Sequence, residues 1–441
     1  MPAPDKSLAS RRTSRRDFLK ISAAGLPAVA AGNLTIARSA HAAGSDTLKI
    51  GLIGCGGRGT GAAANALDAD PNTKLVAMAD AFADRLESSH QRIKKMKPDR
   101  VAVSADHRFA GFDAYQKLLE TDVDVIVHGT TPHFRPEHLE ACVKAGKHIF
   151  CEKPVAVDAP GVRTVLAACE EAKKKNLSVV SGLCWRYDPG VRETMKRVLD
   201  GAIGRIVAIQ ETYNCGPPWF RNKVRKPEWM EMEYQMRNWY PFTWLSGDHN
   251  VEQHVHSLDK AAWLMHDEPP LKAWGLGGRQ VHSDVTIGNI YDHHAVVYEY
   301  PNGVRLYSHC RRQAGCYNEV SDHFLGTTGR ANVLKNQIEG QTEWRYRGPK
   351  GNKYVLEHET LFTSIRNGKP VNDGVFMARS TMLAILGRMV TYTGKEITWD
   401  AAINSSQRLA PASYAWDADP PVLPDANGNY PIAVPGVTQF A

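Results

Sequence analysis

The sequence predicts an α/β protein: a doubly wound parallel sheet in the N-terminal part, then an α+β domain whose open sheet is largely antiparallel. Three observations predict it. Between residues 48 and 151, short apolar runs alternate with helix-like stretches, the pattern of a parallel sheet covered on both faces. Beyond about residue 160 the character changes to isolated strands joined by long polar and aromatic loops. In that second part, Ala295 to Tyr300 and Val304 to His309 flank Pro301-Asn302-Gly303, a hairpin whose Asn-Gly pair favours a tight primed turn.

A chain of 441 residues with 43% hydrophobic residues can bury a large core, and ordinary domain sizes favour two domains. Past the N-terminus no stretch approaches the roughly 18 uninterrupted apolar residues of a membrane span. At the N-terminus, Arg11, Arg12, Arg15, Arg16 and Lys20 precede the apolar run Ile21 to Ala31, and Ala40-His41-Ala42 offers a small-residue cleavage site. Residues 1 to 42 therefore read as a targeting signal that is removed from the mature protein. Ser14-Arg15-Arg16-Asp17-Phe18-Leu19-Lys20 resembles the twin-arginine export motif, which implies the twin-arginine translocase as a partner and a periplasmic or otherwise exported location. Removing the signal takes away seven Lys/Arg and two Asp, so the formal charge of +7 falls to about +2 and gives no support for nucleic-acid binding. The eight cysteines lack the CxxC pairs of a zinc module and read mainly as core residues, although Cys310 and Cys316 could pair in an oxidising compartment.

The elements follow from local pattern. Leu48 to Ile53 is a short apolar run ending in glycines, and Lys74 to Ala79 and Val123 to Val127 are two more strands of that kind. Pro136 to Ala145 supplies a helix and His148 to Cys151 a further strand, which ends the first domain, residues 43 to 160. The second domain, residues 161 to 400, contains the strand Ser178 to Gly182, the hairpin, and covering helices at Pro189 to Leu199 and Ala378 to Tyr392. Residues 401 to 441 form a Pro-rich tail. The last 31 residues carry six prolines and no periodic pattern, so they are either a disordered tail or an arm laid over a neighbouring surface.

Gly54-Cys55-Gly56-Gly57-Arg58-Gly59 follows the first strand and opens a helix, the context in which this spacing has meaning. Two glycines permit a tight turn and close approach of a pyrophosphate to backbone N–H groups, and the third lets helix and strand pack closely. Asp80 ends the next strand 21 residues after Gly59, where a carboxylate accepts hydrogen bonds from the adenosine ribose hydroxyls and repels a 2′-phosphate. The first domain therefore reads as a Rossmann domain that takes NAD in preference to NADP.

Glu152-Lys153-Pro154 follows the strand His148 to Cys151, at the end where doubly wound sheets place ligands. With Thr131-Pro132 and Ala145-Gly146-Lys147-His148, it resembles the glucose-fructose oxidoreductase and inositol dehydrogenase family, often written Gfo/Idh/MocA. The resemblance covers roughly residues 47 to 400. It implies cofactor contacts from Thr131, Pro132, Glu152 and Lys153, with Lys153 reaching both nicotinamide and a substrate hydroxyl. A cation at that position lowers the cost of an alkoxide forming as hydride leaves. In Gly247-Asp248-His249-Asn250-Val251-Glu252-Gln253-His254-Val255-His256, the family has an Asp followed four residues later by its catalytic His. His256 matches that general base, and Glu252 stands in place of the Asp. If the segment is helical from about Val251, Glu252 and His256 share a face, with His249 about a turn earlier on the substrate side. A neutral imidazole suits removal of a hydroxyl proton near neutral pH. The family's antiparallel sheet often serves as an oligomer interface, which implies a homo-oligomer.

His249, His254 and Glu252 also raise a divalent metal, but His254 points away from the Glu252/His256 face of a helix, and no metal is expected. Asp292-His293-His294 reads as strand-edge polar residues. Trp219, Trp229, Trp239 and Trp244 lie with Phe220, Tyr234, Tyr240 and Arg237 between Pro217 and Leu245, where flat aromatic faces beside polar groups suit a sugar ring. Arg237 and Trp239 are the substrate candidates there. Arg186 and Tyr187 resemble the family segment at the edge of the active site, and Arg135 and His138 precede or open a helix on the cofactor side. The expected function is NAD-dependent hydride transfer from a hydroxyl of a sugar, glycoside or polyol, with NAD carried out of the cell as a resident cofactor. A redox-cycling glycosidase and a non-catalytic glycan-binding protein remain open as other readings of the same residues.

Overall fold

A computed structural model describes residues 47–217, 225–281 and 287–439. The signal read at residues 1 to 42, together with Trp219 and Phe220, lies outside the described residues. The first part runs β1 (Leu48–Ile53), α1 (Gly57–Ala69), β2 (Thr73–Asp80), α2 (Ala83–Met96), β3 (Arg108–Ala110), α3 (Ala114–Leu119), β4 (Val125–His128), α4 (Arg135–Lys144), β5 (His148–Cys151), α5 (Ala159–Lys174) and β6 (Val179–Ser181). These strands form one parallel sheet in the order β3-β2-β1-β4-β5-β6. All of β4 and nearly all of β1 and β5 are buried, as expected of apolar runs with helices on both faces.

The rest runs α6 (Pro189–Leu199), β7 (Ile206–Cys215), α7 (Glu231–Arg237), α8 (Thr243–Ser246), α9 (His249–Glu252), α10 (Val255–Leu264), then β8 (Lys272–Gly278), β9 (His293–Glu299), β10 (Arg305–Arg312) and β11 (Glu319–Gly326). It ends with β12 (Gly329–Asn332), β13 (Gln337–Gly340), β14 (Trp344–Arg345), α11 (Lys353–Arg366), α12 (Gly374–Thr393), β15 (Ile397–Thr398) and α13 (Trp399–Ile403). The second sheet has nine strands in the order β14-β13-β12-β11-β7-β10-β9-β8-β15, antiparallel throughout except for the β7–β10 pair. One face packs on α10 and α12. On the other, Leu276 is 79% exposed and Tyr307 39%. α12 is buried around nearly its whole circumference, between the two sheets, as an all-round apolar helix must be. No helix of the described residues is long and apolar enough to cross a membrane.

The parallel sheet does not stop near residue 160, because β6 extends it to Ser181. α11, more than 170 residues later, also returns to it. Leu361, Phe362 and Ile365 join Leu48, Ala62 and Phe150 in the core on one face of that sheet. The hairpin is where the sequence places it, with β9 and β10 paired from Glu299↔Arg305 to His293↔Arg311. Its turn is not of the primed type, however. Gly303 has φ of 77° while Asn302 does not enter the positive region, and Gly303 N bonds to Tyr300 O at 2.9 Å. Pro301, fixed at negative φ, makes a three-residue loop with glycine in the left-handed position the better solution.

Residues 404–439 form no helix or strand, yet they lie as an arm over the chain's own surface. Trp416 packs 5.1 Å from Phe82 and 4.5 Å from Phe112, Tyr414 OH meets His133 Nε2 at 2.7 Å, and Tyr430 is 4% exposed. All eight cysteines are free thiols. Cys310 and Cys316 do not pair: Cys310 is buried and donates to Asn250 Oδ1, and Cys316 faces Gln313.

Candidate active site

A cleft of about 830 Å³ opens at the carboxyl ends of the parallel strands, where the strand order reverses between β1 and β4. Gly54, Gly56, Gly57 and Arg58 line its nucleotide end. Gly54 has φ of 95°, and a Cβ there would lie 2.4 Å from Thr130 N. Gly59 sits beneath this turn, off the wall of the cleft, and a Cβ on it would lie 1.9 Å from Gly54 O. The N-terminus of α1 has no side-chain cap and no acid in its first turn, so its free N–H groups and dipole favour an anion. Asp80 ends β2 on the same wall, accepting from Cys55 N at 2.6 Å and Phe82 N at 2.9 Å, and burial raises its carboxyl above the ordinary range. Thr131 lines the cleft with its Oγ1 buried and unpartnered. Pro132 is buried behind it, at the start of a short 3-10 turn. An anion seat, a ribose-accepting carboxylate and an orphan hydroxyl between them fit a dinucleotide.

Glu152 and Lys153 lie on the turn after β5. Arg135, buried beneath, donates to Pro154 O at 2.5 Å and Thr130 O at 2.6 Å, tying together the turns that follow β4 and β5. Lys153 Nζ crosses the cleft to Glu252, 3.0 Å from Oε1, and also donates to the Glu252 backbone carbonyl. His256 lines the same wall. The helix expected from Val251 is interrupted: α9 ends at Glu252 and α10 begins at Val255. Glu252 and His256 still share the cleft because Asp248, at φ 90°, pins the segment from behind, with Oδ1 3.0 Å from His294 Nε2 and Oδ2 accepting from Tyr291 N at 3.0 Å. His254 turns inward to Ser308 Oγ at 2.7 Å. Burial, then the charge of Lys153, holds the His256 imidazole well below its usual range, so it is neutral.

Several expected substrate residues are placed elsewhere. His249 is 1% exposed and lies behind the cleft wall, where Tyr240 OH meets its Nδ1 at 3.2 Å. Arg186 is taken up by Asp259, at 2.9 Å, and by Asp267, and Tyr187 donates to Asp373. These buried polar groups need partners, and they find them in the interior. Arg237 lines the cleft on the Asp80 side, paired with Asp84 at 3.1 Å and Glu233 at 2.7 Å and lying over Phe82 at 4.1 Å. Trp239 is on the cleft wall, whereas Trp244 is a core residue bonded to Gln235. Asp292 is buried, capping the backbone of Gln280 and Val281. Among the described residues no three His, Cys, Asp or Glu side chains group as metal ligands. Three lining residues, Phe82, Phe112 and Tyr354, carry no motif in the sequence, and Gln253 lies inside the Gly247 to His256 motif without having been singled out.

Residues 48–181 match the Gfo/Idh/MocA oxidoreductase family, described as having an NAD-binding Rossmann fold. The match spans β1 to β6, the whole of the parallel sheet. It is 24% identical over 336 residues to the myo-inositol 2-dehydrogenase of Thermotoga maritima, covering 73% of this chain and 90% of that one. It is 26% identical over 238 residues to the 2,7-anhydro-N-acetylneuraminate hydratase of Escherichia coli, covering 54% of this chain but only 58% of the relative. A levoglucosan dehydrogenase solved with NADH and levoglucosan superposes with a TM-score of 0.63 at 18% identity, covering 80% of this chain and 99% of that one. The parallel sheet followed by a larger, mostly antiparallel sheet is therefore the fold of these solved dehydrogenases.

Proposed function

We propose that this protein is an exported oxidoreductase that transfers hydride between NAD and a hydroxyl-bearing carbon of a sugar, glycoside or polyol. The observation that carries this is the meeting of Lys153, Glu252 and His256 on one wall of the NAD cleft. When bound, NAD supplies the hydride acceptor. Neutral His256 takes the hydroxyl proton, while the Lys153 ammonium stabilises charge growing on that oxygen. Glu252 holds Lys153 in place and offers its second oxygen to a neighbouring hydroxyl, and Trp239 presents an aromatic face to the ring. The relatives named for inositol and levoglucosan support a polyhydroxylated ring as the substrate class.

The twin arginines support export through the twin-arginine translocase to the periplasm with NAD already loaded. The exposed apolar side chains of the second sheet, Leu276 and Tyr307 among them, support a homo-oligomer built on that face. Mass spectrometry of products from a panel of glycosides and polyols tests the activity. A keto product two mass units lighter than its substrate is the expected result. Release of free aglycone with no net reduced nicotinamide would replace this reading with a redox-cycling glycosidase.

A further inference from the structure

The nucleotide end of the cleft is completed by a helix from far along the chain. α11 packs on α1, and its last turn is fixed by Arg366 to Asp70 at 2.6 Å. This sets Tyr354 in the cleft wall and Glu357 beside Arg58. Arg58 Nε donates to Glu152 Oε1 and its Nη2 to Glu357 Oε1 at 3.1 Å, while the guanidinium lies 4.8 Å from the Tyr354 ring. The Glu357 side chain is 0% exposed and that of Glu152 3%, and Glu357 Oε2 has no hydrogen-bond partner. Two buried carboxyls thus flank one guanidinium.

With both ionised, the cluster would hold excess negative charge beside the α1 N-terminus, where the pyrophosphate of a dinucleotide is received. A proton on Glu357 removes that excess and costs no hydrogen bond to Arg58, because Oε2 is free to carry it. The surroundings agree in sign. Arg58 from α1 and Lys353 from α11 are the facing cations, opposed by Glu152 after β5 and Asp373 before α12. Cys184 and Tyr187 face the same carboxyl, and burial holds both protonated. His358, next on α11, is buried against Phe150 and pushed down to about 3 by burial, so it adds no charge. Burial and then Glu152 push the Glu357 carboxyl well above the ordinary carboxylate range.

We propose that Glu357 is a positioning residue of the nucleotide site: it carries a proton when NAD is bound, and through Arg58 it couples the glycine loop to the turn bearing Glu152 and Lys153. The inference rests on the NAD reading and is tested by NAD affinity, measured as a function of pH on the full mature chain by exchange of bound NAD against labelled NAD. Wild type should lose affinity as pH rises past the Glu357 midpoint, by up to about tenfold per pH unit, as linkage to one proton requires. Glu357→Gln keeps the shape and cannot ionise, so it should hold the low-pH affinity across the range. Glu357→Ala, which removes the second anchor of Arg58, should weaken NAD at every pH. A merely structural side chain would leave the pH slope unchanged. A wild-type affinity that ignores pH, or a Glu357→Gln slope equal to that of wild type, would overturn the proposal. Absence of NAD at every pH would instead defeat the reading beneath it.

Discussion

His256 stands in the cleft wall with its Nδ1 buried and unpartnered, and burial together with Lys153 keeps the ring neutral. Because the shift is downward, the base form survives as pH falls through the ordinary imidazole range and is lost only below it. The acid limb of kcat/KM for substrate oxidation should therefore lie below that range, and His256→Gln should lower kcat by about 10²–10⁴ and abolish the limb. A limb at or above the ordinary imidazole value would contradict the assignment. Lys153→Met should lower kcat by about 10²–10³ while NAD affinity moves only a few-fold, since the ammonium acts on charge that forms in the transition state. Steady-state kinetics beside NAD titration separates these two effects.

At the scale of elements, the turn from β1 to α1 depends on two glycines packed back to back. A Cβ on Gly59 would meet Gly54 O at 1.9 Å, backbone that cannot swing away. Gly59→Ala should cost about 1–3 kcal/mol of stability and weaken NAD at least as much as it lowers Tm, by calorimetry and titration. Arg237 provides the complementary case. Its ion pairs to Asp84 and Glu233 join α7 to the start of α2, so Arg237→Ala should raise the dissociation constant of NAD and leave the sugar KM nearly unchanged. A sugar KM that rose more than tenfold would return Arg237 to the substrate side. Local pattern was enough for the glycine turn, Asp80, the strands β1, β2, β4, β5 and β6, the β9–β10 hairpin and the Glu152-Lys153 turn, since each is set by its own short run of residues, but it did not show β3, β7, β8 or β11 to β15. It failed for Arg186, Tyr187 and His249. Their orientation is decided by Asp259, Asp373 and Tyr240, partners that only the folded chain brings near.

Across the whole molecule, the two sheets share α12 and the arm of residues 404–439, and neither was visible as a link in the sequence. The arm has no period to read because its order comes from aromatic anchors. Trp416 and Tyr414 cover Phe82, Phe112 and Phe134 of the cleft wall, and Gln235 Nε2 donates to Val422 O at 2.7 Å. Full burial of a large side chain is worth about 1.5–3 kcal/mol and Trp416 is half-buried, so Trp416→Ala should lower stability by about 1–2 kcal/mol and speed the loss of bound NAD. The contribution of α11 was hidden for a similar reason. Glu357 reaches Arg58 across 299 positions of sequence, and no spacing rule spans that distance.

Isotope transfer tests the central claim most directly. A sugar or polyol deuterated at its oxidised carbon, incubated with the NAD-loaded protein, should pass deuterium to the nicotinamide ring in a single turnover, and Lys153→Met should slow that transfer without preventing NAD binding. Product formed with no deuterium on the nicotinamide, or equal transfer by wild type and Lys153→Met, would contradict hydride chemistry at this cleft.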